Sequence, residues 1–231
     1  MTGMPRTVAD AEGELRALLS RRVAVSYEPQ APRTDRPLRR SAVLILFGAL
    51  DRRPAEHGAR TVPPELDVLL TRRADSMRHH AGQIAFPGGG SEAQDRDASE
   101  TALREAAEET GIDPSGVEVL GSLQPVHIPV SNNLVTPVVG WWRRASAVAA
   151  DHAESVEVFR APVAEMLDPA ARGTSVLQQG ASTYRGAAFA LGPHLGGHLV
   201  WGFTGMTLAS LFDELGWAEP WDPRQEFPVA P

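Results

Sequence analysis

Residues 88–112, GGGSEAQDRDASETALREAAEETGI, leave the chain little choice of local structure. Three glycines lead to Asp97, a preferred helix N-cap, and Glu100 stands three positions on, as in a capping box. Gly111 sits where helices end in a left-handed residue. These signals predict a helix over about 98–110, with Arg104 spaced to pair with both Glu100 and Glu108. Glu105, Glu108 and Glu109 recur at i, i+3 and i+4, so they share a face with Cβ atoms about 5–6 Å apart. Like charges at that spacing repel by roughly 0.2–0.5 kcal/mol per pair. A helix that only packs would alternate them with cations. Clustered carboxylates suit hard divalent ions such as Mg²⁺ or Mn²⁺, and the glycines ahead of them let a ligand approach the backbone.

Around this helix the hydrophobic pattern predicts strands at 41–50, 67–73, 83–86, 116–123, 134–142, 155–159 and 197–203. Helices are predicted at 8–21, with Leu15, Leu18 and Leu19 on one face, at 162–167, and at 204–216, capped by Thr204. Residues 29–40 read as a Pro- and Arg-rich linker whose Arg36, Arg39 and Arg40 are solvated. Residues 51–65 read as a polar loop, 171–196 as a hairpin and 217–231 as a loose Pro-rich tail. The organisation is one α+β domain at 41–216, an N-terminal helix and linker at 1–40, and the tail at 217–231. The N-terminal helix packs on its own domain or on a partner, as in a homodimer; the sequence leaves both open.

The chain has no cysteine and no lysine; all 22 basic residues are arginine. That excludes thiolate chemistry, disulfides, Schiff bases and the P-loop lysine. No apolar run reaches transmembrane length and the N-terminus lacks a signal-type apolar stretch, so a cytoplasmic protein without a membrane partner is expected. A net charge of −7 argues against a nucleic-acid binder. Residues 92–109 carry seven acids and two arginines, so most of the negative charge is one helix and its approach.

The order glycine turn, capped helix, R-E-A-A-E-E-T-G-I, strand resembles the Nudix box, with Gly90, Arg104, Glu105, Ala106, Glu108, Glu109, Gly111 and Ile112 on its fixed positions. The lone glutamate of the box falls on Arg96, flanked by Asp95 and Asp97. Residues 69–89, LLTRRADSMRHHAGQIAFPGG, are similar to the stretch preceding the box in coenzyme A pyrophosphatases. Arg73, Arg78, His80, Gly82, Phe86, Pro87, Gly88 and Gly89 match, while Ala74 and Met77 replace a Ser and a Leu. That family also tends to carry D-x-D before the helix, and 135–140 and 200–204 resemble it too.

The resemblance implies a Nudix-type α/β/α sandwich with a mixed sheet. It implies Mg²⁺- or Mn²⁺-dependent hydrolysis of the pyrophosphate of coenzyme A or its thioesters, to 3′,5′-ADP and (acyl) 4′-phosphopantetheine. Glu105 and Glu109 are the leading metal ligands, with Glu108 as third ligand or base and a backbone carbonyl of Gly88 or Gly89 as a further donor. Arg104 would orient the carboxylates. Glu154 matches a superfamily acid that serves as base or ligand, with an exposed loop carboxylate as the plainer reading. Arg73, Arg78 and His80, with Gly88, are the candidate substrate contacts; Trp141, Trp142 and Trp201 read as packing. A small-molecule substrate other than coenzyme A (ADP-ribose, a dinucleotide, an oxidised nucleoside triphosphate) would share every box residue. A silent Nudix-fold binding module would normally lose box glutamates.

Overall fold

A computed structural model describes residues 6–21, 37–49, 53–55, 58–74, 82–129, 131–151, 155–180 and 182–229. Its spine is the strand predicted at 41–50, which forms β1 (Arg39–Gly48) and is buried along most of its length. A strand apolar at consecutive positions, as here from Ala42 to Phe47, needs cover on both faces, and β1 has it. Ala42, Leu44 and Leu46 join one cluster of buried side chains, while Ile45 and Phe47 join another across the sheet.

β1 lies between β2 (Asp67–Arg73), antiparallel, and β7 (Asn133–Trp142), parallel. β3 (Ile84–Ala85) and β8 (Ser155–Pro162) pair with β2. β4 (Gly88–Gly90) pairs with β1, and β5 (Val117–Ser122) and β6 (Val126–Ile128) pair with β7. The result is a mixed eight-stranded sheet. The helix α2 (Ala98–Thr110) covers the face of Ala42 and Leu44. α1 (Val8–Leu19), α3 (Val163–Met166) and α4 (Gly202–Glu214) contribute to the cluster on the other face. This is an α+β sandwich around a mixed sheet, the architecture that the resemblance implies. A second sheet of four strands, ordered β11 (Leu199–Val200), β10 (Ser182–Ala190), β9 (Arg172–Gln179) and β12 (Glu226–Val229), joins that second layer. Its centre is the antiparallel hairpin β9–β10, where a hairpin was predicted.

α1 is fixed at its start by a reciprocal Thr7–Asp10 capping box and packs Leu15 and Leu18, both fully buried, on its own domain. Several expectations are corrected. Arg39 and Arg40 are not linker residues; they open β1. The 51–65 loop is not wholly polar in role, since Ala59 and Val62 are buried and the Ala59 N–H donates to the Ala164 carbonyl at 2.8 Å. The three glycines do not form a turn; they form β4, and β6 is a further strand between those predicted at 116–123 and 134–142.

The strands predicted at 83–86 and 197–203 shrink to two residues each. Thr204 is not a cap: the N-cap position is Trp201, and Thr204 is buried in the first turn. The tail is not loose. Trp217 is fully buried beside Phe47 and Phe212, its Nε1 donates to Glu14 at 2.6 Å, and β12 runs parallel to β9. No helix among the described residues is long and apolar enough to cross a membrane.

Candidate active site

The site is built where β4 and α2 meet. Ala42 faces Gly89 across the β1–β4 pair and Val43 faces Gly88, so the glycine backbone lies flat beneath the helix. Asp97 caps α2 by accepting the Ser99 and Glu100 N–H groups at 2.8 and 3.0 Å. Gly111 ends the helix at φ 68°. The capping box is displaced by one residue: the Glu100 carboxylate accepts the N–H of Arg96 at 2.7 Å and pairs with the Arg96 side chain. Glu100 therefore does not pair with Arg104.

Arg104 is turned instead toward the loop before its own helix. It donates to Asp95 at 3.0 and 3.1 Å, to the Gly90 carbonyl at 2.9 Å, to Glu105 at 2.9 Å and to Glu108 at 3.2 Å. Asp95 also accepts the Glu92 N–H and the Thr101 hydroxyl, both at 2.9 Å. The Arg104 guanidinium, then the Glu92 N–H, hold the Asp95 carboxyl well below the ordinary carboxylate range. Asp95 in turn raises Arg104 further above its usual value. Asp95 is the residue that sequence reasoning noticed without giving it a task. It anchors Arg104, and the signal was an acid standing in for the absent box glutamate.

The three glutamates do not form one exposed acidic face. Glu109 is only 4% exposed and its carboxylate accepts the Gly88 N–H at 3.1 Å. The Glu105 carboxylate rests directly on Gly89; a Cβ there would lie 2.3 Å from its Oε2. Glu108 points outward, its side chain 59% exposed and paired with Arg104. Among the described residues no three Asp, Glu or His side chains already converge on one metal-sized point. The donor chemistry nonetheless fits a hard cation: two carboxylates from successive turns of α2 lie against a side-chain-free strand that offers backbone carbonyls.

Arg73 ends β2, with its N–H donating to the Gln83 carbonyl at 3.0 Å and its buried Nε lacking an acceptor. Arg78, His80 and Glu154 lie outside the described residues. The approach to 154 is tethered to the site: the Asp151 N–H donates to the Glu109 carbonyl at 3.3 Å, and Asp151 Oδ1 accepts the Ser155 N–H at 3.0 Å. Trp141 and Trp142 are buried in the two clusters on either face of the sheet.

The NUDIX domain profile matches residues 54–175. The chain is similar to proteins named "Uncharacterized Nudix hydrolase NudL". It is 47% identical over 102 residues to that of Pectobacterium atrosepticum, covering 44% of this chain and 53% of the relative. With that of Yersinia pestis it shares 40% over 141 residues, covering 61% and 69%. The match to the Pectobacterium relative thus spans about half of its length. Among solved structures, it is similar to a Nudix hydrolase from M. smegmatis, RenU (TM-score 0.41, 22% identity, 54% of this chain and 71% of that chain). It is also similar to the NUDIX domain of Shewanella oneidensis NrtR complexed with ADP ribose (TM-score 0.41, 23% identity, 62% and 82%).

Proposed function

We propose, from the premise that this chain belongs to the NUDIX domain family, that it hydrolyses the phosphoric anhydride of a nucleoside diphosphate derivative, with coenzyme A or its thioesters as substrate. The observation that carries this reading is the seating of Glu105 and Glu109 against Gly88 and Gly89. The choice of coenzyme A is supported by the likeness of residues 69–89 to the stretch preceding the box in coenzyme A pyrophosphatases.

Glu105 and Glu109, with a main-chain carbonyl of Gly88 or Gly89, would hold Mg²⁺ or Mn²⁺. Bound there, such an ion would supply charge neutralisation to the diphosphate and Lewis acidity to the attacking water. The chain's own residues divide the remaining work. Arg104 fixes the Glu105 carboxylate through a hydrogen bond at 2.9 Å, and Asp95 keeps Arg104 in place. Glu109 is oriented by the Gly88 N–H. Glu108, exposed beside them, is placed to accept a proton from attacking water, and Glu154 is the alternative base by its sequence match alone. The unsatisfied Arg73 Nε suits a phosphate oxygen, and Arg78 and His80 follow it in the same sequence stretch.

The test is a panel with each metal: coenzyme A, acyl-coenzyme A, ADP-ribose, NADH, diadenosine polyphosphates and 8-oxo-dGTP. The reading expects coenzyme A or its thioesters to be cleaved to 3′,5′-ADP. Hydrolysis of another compound with coenzyme A untouched refutes the substrate; hydrolysis of none refutes the activity.

A further inference from the structure

The acidic site has few cations free to meet a polyanion. Arg104 is engaged by Asp95, Glu105, Glu108 and the Gly90 carbonyl, and Arg72 lies 3.7 Å from Glu157. The chain has no lysine. Arg39 and Arg40 are different. They are exposed at the start of β1, and among the described residues neither guanidinium has a hydrogen-bond or ion-pair partner.

Strand register puts them at the site. Ser41 faces Gly90 and Ala42 faces Gly89, and one rung further the Ser91 N–H donates to the Arg40 carbonyl at 3.0 Å. Alternation along β1 then separates the two arginines. Ala42, Leu44 and Leu46 point to the α2 side, so Arg40 shares that side and Arg39 takes the other. Ala42 lies beside Gly89, on which the Glu105 carboxylate rests. Arg40 is two residues along the strand from Ala42, about 6.6 Å, within reach of an extended arginine.

We infer that Arg40 contacts the phosphate oxygens of the bound diphosphate, as the cationic counterpart of Glu105 and Glu109. This rests on the reading above that a diphosphate is what the site takes. Guanidinium is suited to the task because it can give two parallel hydrogen bonds to one phosphate.

The full chain is tested as R40A, R40K and R39A, by calorimetric binding of α,β-methylene-ADP with Mg²⁺ and by kcat and KM for coenzyme A. R40A should weaken binding of the analogue about tenfold and raise KM by a similar factor, with kcat held within about twofold. R40K should recover part of the loss, and R39A should stay within about twofold of wild type in both measurements. R40A binding the analogue like wild type, R39A losing as much as R40A, or a wild-type protein that does not bind the analogue, each overturns the assignment. Wild-type turnover of coenzyme A with R40A unchanged refutes Arg40 and leaves the function standing. Loss of analogue binding in R40A, with no diphosphate hydrolysed by wild type, does the reverse.

Discussion

Three consecutive glycines should respond to alanine in three different ways. At Gly89 a Cβ would meet Glu105 Oε2 at 2.3 Å and its carboxyl carbon at 2.5 Å, with no backbone atom among the nearest contacts. Relief to an ordinary contact of 3.4 Å moves the carboxylate by about 1 Å. Because the obstacle is the end of a flexible side chain, the fold should absorb this with little loss of stability. The site should not: a displacement of about 1 Å at a reacting centre costs on the order of 100-fold in rate, or about 2.7 kcal/mol of transition-state stabilisation.

Gly88 is the opposite case. Its Cβ would lie 2.4 Å from the Ala42 carbonyl oxygen and 2.6 Å from Val43 Cα, at φ 153°. The clash is with the backbone of β1, so G88A should lose roughly 2–4 kcal/mol of stability and about 5–15 °C in Tm. Gly90 has nothing within 4 Å of such a Cβ, and G90A should stay within about 0.5 kcal/mol of wild type. Calorimetry gives Tm, and steady-state hydrolysis of the substrate found by the panel gives kcat/KM. G89A retaining more than about a third of wild-type kcat/KM would refute the claim that Glu105 works from its seat on Gly89.

E105Q and E109Q should each abolish hydrolysis while the protein stays folded; a tenth or more of wild-type kcat in either removes that residue from the metal set. W217A should cost about 3–5 kcal/mol, read as a lowered urea midpoint, because the ring is fully buried and donates to Glu14. Acid should loosen the seat of α1. Arg143 holds Glu12 below its ordinary value of 4.5, and Arg16 and then Arg143 do the same for Glu118. Carboxylates with lowered folded values stabilise above the unfolded value and lose that contribution as pH falls through the folded one. R143A should therefore lower the urea midpoint at neutral pH and converge on wild type well below pH 4.5, an effect muted by salt.

The helix and its ends were legible because each signal is local: Asp97 caps by bonding backbone two and three residues on, and Gly111 is needed at φ 68°. What was not legible depends on partners distant in sequence. Arg39 and Arg40 look like linker residues until β7 and the Ser91 N–H give them rungs. The tail looks loose by its prolines, but Trp217 finds Glu14 across 203 residues and β12 finds β9. Thr204 has the chemistry of a cap, yet the helix starts two residues earlier, at Gly202, whose φ of 63° an L side chain rarely adopts. The face of three glutamates was a true periodicity with a wrong environment, since helical spacing says which residues are neighbours and not which of them meets a strand.

That difference of environment explains how so much negative charge sits on one helix. Glu105 and Glu109 at i,i+4 would oppose helix formation by about 0.2–0.5 kcal/mol if both were solvated. Neither is left to water alone: one carboxylate has the Arg104 guanidinium and the other the Gly88 N–H. Arg104 serves Asp95, Glu105 and Glu108 together, so a single cation neutralises part of three acids and is consumed in doing so. The patch remains net negative, and a polyanionic substrate can approach only if further positive charge is brought to it. A divalent ion held by Glu105 and Glu109 would supply some of it. Among the described residues, the Arg40 guanidinium on the α2 side of β1 and the Arg73 Nε at the end of β2 are protein donors without an acceptor. Removing Arg40 and Arg73 together should therefore raise KM by more than either change alone while leaving metal binding at Glu105 and Glu109 intact, and equal metal affinity with an unchanged KM in the double variant would show that the metal carries the whole attraction.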